Sequence, residues 1–180
     1  MTLDLTKSST KSSTKSSTKE PLITPDIAAR LRAGVQYLET EPLRFEMSLW
    51  LGHSDTAPCG TEMCYAGAII AALHYEGDVG RLWKRYQSDV IKFPQEAAEL
   101  IGLPEERVKL LFYVESWPLS DAVRYYSLSR ELAGAVRNED AERMRELRVE
   151  QLTLLAEVVE KFISSDGHFT AADLGRSIES

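Results

Sequence analysis

Cys59-Gly60-Thr61-Glu62-Met63-Cys64-Tyr65-Ala66-Gly67-Ala68-Ile69-Ile70-Ala71-Ala72-Leu73-His74-Tyr75 is the stretch whose reading decides the fold. From Cys64 to Tyr75 it carries no charged residue, which predicts a helix buried on all sides. Pro58 and Gly60 mark a tight turn before it, and Gly77 is a natural stop after it. The expected helix spans residues 61–75, with Thr61 as its cap and Cys59 just outside, near the free amide groups. Small residues at Cys64, Gly67, Ala68, Ala71 and Ala72 let neighbouring helices come close. The middle of the protein is therefore helical.

Upstream, Thr24-Pro25 is a helix start, and Ile27, Leu31, Val35 and Leu38 form one apolar stripe that Pro42 ends. Leu43, Phe45, Met47 and Leu49 alternate with polar residues, which reads as one short extended run laid across the helices. Residues 53–60 read as a loop. Downstream, a helix from Val79 to Lys92 presents Leu82, Trp83, Tyr86 and Val90. Two short helices follow, Pro94–Ile101 and Pro104–Val114, separated by Gly102. After the Trp117-Pro118 break comes a long pair, one helix over about Ser120–Val136 and another that Asn138 caps, running to about Ser164. On the last, Met144, Leu147, Leu154, Leu155, Val158 and Phe162 face inward, with Glu139–Arg143 and Glu157–Lys161 as expected surface pairs. Phe169, Thr170 and Leu174 resemble the staple and cap of a final short helix. About seven helices and almost no strand make an all-α, orthogonal or bundle-like domain over residues 21–180.

Residues 6–19 repeat a Lys-Ser-Ser-Thr unit without one apolar side chain, so residues 1–20 are expected to be a disordered tail. The formal net charge is −7. The tail holds Lys7, Lys11, Lys15 and Lys19 against Asp4 and Glu20, which leaves about −9 on the rest. An acidic body repels phosphate backbones, so no nucleic-acid partner is expected. The charge-free run is far shorter than the roughly 20 residues that cross a bilayer, so no membrane partner is expected either. Two cysteines and no secretion signal at the start point to the cytoplasm.

Several motifs carry residue types capable of chemistry. Cys59, beside a helix start, is placed where a thiol pKa falls, and Cys64 follows five residues later. The spacing is not that of a thioredoxin-like pair, so structural thiols and a reactive Cys59 both stay open. His53, Cys59, Cys64 and His74 match no common zinc spacing, so no metal and no cofactor is expected. Cys59 with His168 resembles the nucleophile and base of papain-type peptidases, but Thr170-Ala171-Ala172-Asp173-Leu174 reads as a helix start where that fold needs a strand. Residues 98–108 have the form of a helix-turn-helix corner, yet Glu105 and Glu106 open the would-be reading helix. Asp166-Gly167 echoes a calcium loop, but Phe162 stands where its first ligand belongs. Tyr113, Trp117, Tyr125 and Tyr126 cluster around the Trp117-Pro118 break, as core lids or as anchors for a protein partner.

Phe45-x-Met47 with Trp50, Cys59-Gly60-Thr61-x-x-Cys64-x-Ala66-Gly67, Ala98-x-Leu100 with Gly102-Leu103, Leu111-Phe112-Tyr113 with Trp117-Pro118, and Phe162-Ile163 before Asp166-Gly167 occur in that order. Together they resemble a family of small uncharacterised helical proteins of bacteria, phage and mobile elements, over about residues 43–167. The resemblance implies no activity and carries over no catalytic residue. Ala68-Ile69-Ile70 departs from the bulky residue usual there, and the repeat-bearing tail is peculiar to this chain. The expectation is a non-enzymatic helical protein that binds a protein partner, with the resemblance implying a phage or mobile-element setting. A thiol-dependent enzyme or redox protein centred on Cys59 is the alternative.

Overall fold

The computed structural model describes residues 22–48, 51–53, 61–88 and 92–169. Seven α-helices make up nearly all of it: α1 Pro25–Glu39, α2 Tyr65–His74, α3 Val79–Ser88, α4 Phe93–Ile101, α5 Glu105–Phe112, α6 Leu119–Arg137 and α7 Ala141–Ser164. Two three-residue strands, β1 Leu51–His53 and β2 Thr61–Met63, form an antiparallel pair. The expected all-α domain with a buried central helix is what the chain builds. The tail at residues 1–20, the loop with Cys59 and the final helix beyond Phe169 lie outside the described residues.

α1 begins as its sequence dictates. Thr24 is extended, its hydroxyl accepts from the Ile27 N–H at 3.3 Å, and Pro25 fills the first helical turn. Ala28, Leu31, Val35 and Leu38 then bury one stripe against α2. The two helices touch closely because of Gly34. A β-carbon there would stand 2.6 Å from Ile69 Cγ1 and 2.8 Å from Tyr65 Cε2. The Tyr65 hydroxyl donates to the Leu31 carbonyl at 2.6 Å, so its one buried polar atom is satisfied.

α2 is buried without a break from Tyr65 to Ala71 and packs on α1 and α4. It starts four residues later than the expected Thr61. Thr61–Met63 pairs instead with Leu51–His53, and it alternates inward Thr61 and Met63 with outward Glu62, the period of a strand. Cys64, in an extended conformation, is the N-cap. Among the described residues, the alternation at Leu43, Phe45 and Met47 does not make a strand either. Pro42–Arg44 is a 3-10 turn, Phe45 makes one isolated bridge to Met63, and the strand proper comes at Leu51. Pro42 holds the turn, because its fixed φ suits a first helical position and it has no N–H for a ladder.

Gly102, at φ +87°, caps α4 and donates its N–H to Ala98. α6 and α7 form a helical hairpin through residues 138–140. Asp140, rather than Asn138, caps α7 and accepts from the Arg143 N–H at 3.0 Å. The expected pairs within α7 give way to pairs that tie it to α6: Arg143 to Glu131 at 2.9 Å, Arg124 to Glu157 at 3.1 Å, and Lys161 to Asp121 at 2.6 Å. Glu157 and Lys161 were legible in the sequence as surface charges; their partners depend on the neighbouring helix. At the far corner the Ile23 N–H donates to Asp166 Oδ1 at 2.8 Å, Leu22 and Ile23 close over Gly167, and Phe169 packs edge-on against Phe162. Among the described residues no helix is long and apolar enough to cross a membrane.

Candidate cleft between α5, α6 and α7

A cleft of about 980 Å³ opens between the end of α5, α6, the start of α7 and the 43–48 turn. Its walls are mostly apolar: Leu43, Met47, Phe112, Val114, Leu132 and Met144. Tyr113 and Tyr126 stand half-exposed at its rim. The Tyr126 hydroxyl donates to Glu115 Oε1 at 2.8 Å, which fixes the ring's angle. Burial and the carboxylate of Glu115 raise the Tyr126 phenol above its ordinary pKa, so it remains a donor at neutral pH.

The base of the cleft holds a charge network that joins four parts of the chain. Arg148 on α7, with its side chain 7% exposed, reaches Glu46 Oε2 with Nη2 at 2.8 Å. Its Nη1 donates to Gln151 Oε1 at 3.0 Å. The Gln151 amide donates to the Ser129 hydroxyl on α6 at 3.0 Å, and that hydroxyl donates to the Tyr125 carbonyl. Glu46 also accepts from the Ser48 N–H at 2.9 Å, while its own N–H donates to Met63 on β2 at 3.0 Å. Burial pushes the Glu46 carboxyl up. The charge of Arg148, the Ser48 N–H and the Arg148 hydrogen bond outweigh it and hold the pKa below the ordinary range. Burial first, then the charge of Glu46, raises the Tyr125 phenol.

The sequence did not single out Glu46, Ser129, Arg148 or Gln151. A signal was present. On α7, Arg148, Gln151, Leu152 and Leu155 share one face, so two polar side chains interrupt a buried apolar stripe. Polar residues in such a stripe need partners, and these have them.

The expected aromatic cluster divides. Tyr113, Tyr125 and Tyr126 all line the cleft, Tyr125 from beneath. Trp117 does not. It is buried, donates Nε1–H to the Leu111 carbonyl at 3.0 Å, and meets Tyr125 edge-on with centroids 5.5 Å apart. Trp117 and Tyr125 are thus lids of the core, and only Tyr113 and Tyr126 offer surface to a partner.

Cys64 is a free, buried thiol. Burial pushes its pKa up to about 12, against a smaller opposing pull from the backbone amides of Gly67 and Ala66. It is a packing residue and not a nucleophile at neutral pH. Cys59 lies outside the described residues; the helix it was expected to precede begins at Tyr65 rather than Thr61. His168 is exposed at the end of α7, with Nδ1 3.4 Å from the Asp166 carbonyl. Its expected partner, Cys59, is not among the described residues. Among those residues no three His, Cys, Asp or Glu side chains cluster as metal ligands. The corner between α4 and α5 forms as expected, and Lys109 is paired there with Glu105 at 2.9 Å.

No family model matches the chain, and comparison with curated proteins and with solved structures returns no match either.

Proposed function

We propose that this protein acts by binding a protein partner, and that the cleft between α5, α6 and α7 receives it. The observation that carries this reading is the combination of apolar walls, two half-exposed tyrosines and a fully hydrogen-bonded base. Tyrosines at a concave apolar surface are efficient anchors, because they contribute large contact area with few rotatable bonds. The Glu46–Arg148 network keeps the cleft open in one shape, which lowers the ordering cost of association. Met47 and Met144 add side chains that adapt to an incoming surface. The free Cys64 is in keeping with a reducing cytoplasm. The motif resemblance to small bacterial and phage proteins supports a mobile-element setting.

The test is affinity capture with quantitative mass spectrometry, using the wild type beside a Tyr113→Ala/Val136→Glu variant. Both side chains are exposed, so the fold is kept. A protein enriched on the wild type and lost on the variant supports the reading. Its binding should also shift the resonances of Met47, Met144 and Tyr126. A partner that binds both forms equally, or the lack of any partner, removes the cleft from the function.

A further inference from the structure

The cleft and the corner where residue 22 joins the body stand at opposite ends of α7. Leu22 and Ile23 close over Gly167, just past the end of that helix, and Asp166 holds the Ile23 N–H. Met144 and Arg148, which line the cleft, lie near its start. At 1.5 Å per residue, about 24–30 Å of helix separates them from Ser164. Sixteen residues, 6–21, stand between Leu5 and Leu22. Fully extended they reach about 55 Å, enough to run the length of α7 and around its roughly 12 Å girth.

Along that path α7 carries a row of exposed carboxylates. Glu142, Glu146, Glu150, Glu157 and Glu160 recur at intervals of three, four or seven, so they share one side of the helix. Among the described residues Arg32, Arg124 and Arg143 meet them, three cations against five carboxylates, which leaves the row acidic. Residues 6–21 hold Lys7, Lys11, Lys15 and Lys19 against Glu20 alone. Repeat and row are thus of opposite sign. Ahead of the repeat, Leu3 and Leu5 alternate with Thr2, Asp4 and Thr6. They are the two apolar residues of the stretch 2–19. Two leucines at that spacing fall on one side of an extended chain, the form in which a peptide presents anchors to an apolar groove.

We propose that Leu3 and Leu5 occupy the cleft of their own chain, with the Lys-Ser-Ser-Thr repeat laid along the acidic row of α7. The leucines cover Met47 and Met144, and Asp4, on the other side of the segment, stays in water. This docking rests on the reading of the cleft as a receptor for a polypeptide segment, and it makes the chain its own competitor there. A segment joined to the body competes at an effective concentration near millimolar, whatever the protein concentration. Two leucines are a small anchor, so a partner with a larger apolar surface displaces them.

Methionine-methyl NMR of the full chain tests this, since Met47 and Met144 line the cleft while Met63 is buried in the core. The wild type is compared with Leu3→Asp/Leu5→Asp, whose changes lie outside the packed body and leave it folded. The Met47 and Met144 signals should move and that of Met63 should not, equally at about 20 and about 500 µM protein. A synthetic peptide of residues 2–8, added to the variant at about millimolar concentration, should return both signals toward the wild type. Changing the four lysines of the repeat to glutamate should move them toward the leucine variant. Identical signals in wild type and leucine variant overturn the proposal. So does a difference confined to high protein concentration, a peptide that moves nothing, or a lysine variant that matches the wild type.

Partner capture reads the other arm. With the cleft uncovered, the leucine variant should bind a partner at least about threefold more tightly than the wild type. Capture lost on Tyr113→Ala/Val136→Glu, with unmoved methionines, upholds the partner and removes the self-docking. Moved methionines without any captured protein uphold the self-docking and remove the partner.

Discussion

Glu46 Oε2 lies 2.8 Å from Arg148 Nη2, a contact that spans 102 residues of sequence and ties the 43–48 turn to α7. Neither charge is well hydrated, so removing one partner strands the other. Arg148→Met and Glu46→Leu are each expected to cost about 3–5 kcal/mol, while the double change Glu46→Leu/Arg148→Met costs much less. Urea denaturation of the four proteins gives the coupling energy directly. Additive single changes would show that the pair is not coupled.

The same pair sets a pH response. The folded Glu46 pKa is below its unfolded value, so its contribution is complete above the ordinary carboxylate pKa, about 4.3. The contribution is lost as the pH falls through the lower folded pKa. The stability gap between the wild type and Glu46→Gln should therefore be widest near neutral pH and narrow steadily below about pH 4.5. Melting temperatures of both proteins across that range measure it. A gap that widens on acidification contradicts the assignment.

Gly34→Ala tests the contact between α1 and α2. Alanine gains about 1 kcal/mol of helix propensity. Its methyl group would meet Ile69 Cγ1 at 2.6 Å and Tyr65 Cε2 at 2.8 Å, and both belong to the rigid middle of the core. Overpacking of this kind costs about 1–3 kcal/mol, so net destabilisation is expected by thermal or urea unfolding. An unchanged or more stable variant would mean that the helices stand further apart.

Cys64 should resist alkylation in the native protein at pH 8, and react only as urea opens the fold. Burial raises its pKa to about 12, and the residue is only 1% exposed. Peptide mass spectrometry resolves Cys64 from Cys59. Native labelling of Cys64 at the rate of a free thiol would place it at the surface.

Asp121 and Arg143 separate ion pairs that matter from those that do not. The Asp121 side chain is 8% exposed and receives Lys161 at 2.6 Å. Asp121→Ala leaves that lysine without its partner and should cost about 1–3 kcal/mol. Arg143 contacts Glu131, Glu146 and Glu150, but in water, and Arg143→Ala should leave the unfolding midpoint nearly unchanged. Equal effects from the two substitutions would refute this ranking.

Much of this architecture was readable along the chain wherever one residue type has one physical consequence. Thr24-Pro25, the charge-free Cys64–Tyr75 run and Gly102 each mark a start, a buried middle or an end. Local signals misled where two periodicities compete. Thr61–Met63 could extend the helix, but the pairing with Leu51–His53 decides in favour of a strand, and that partner is remote in sequence. The charge partners were misread for the same reason. Glu157 and Lys161 stand four apart, yet each is nearer a complementary residue of α6. The cleft was the least legible. Its aromatics were visible as a cluster, but its polar base assembles from residues 46, 129, 148 and 151, of which only 148 and 151 share a local pattern.

The hydrogen bond from Ile23 to Asp166 brings residues 143 positions apart to within 2.8 Å of each other. The described body therefore both begins and finishes at one corner. A short designed linker there, with a new opening in the 138–140 connection, should yield a circularly permuted protein that still folds. By the same geometry, residues 22–169 could be spliced as a cassette into a surface loop of another protein without pulling its anchor points apart.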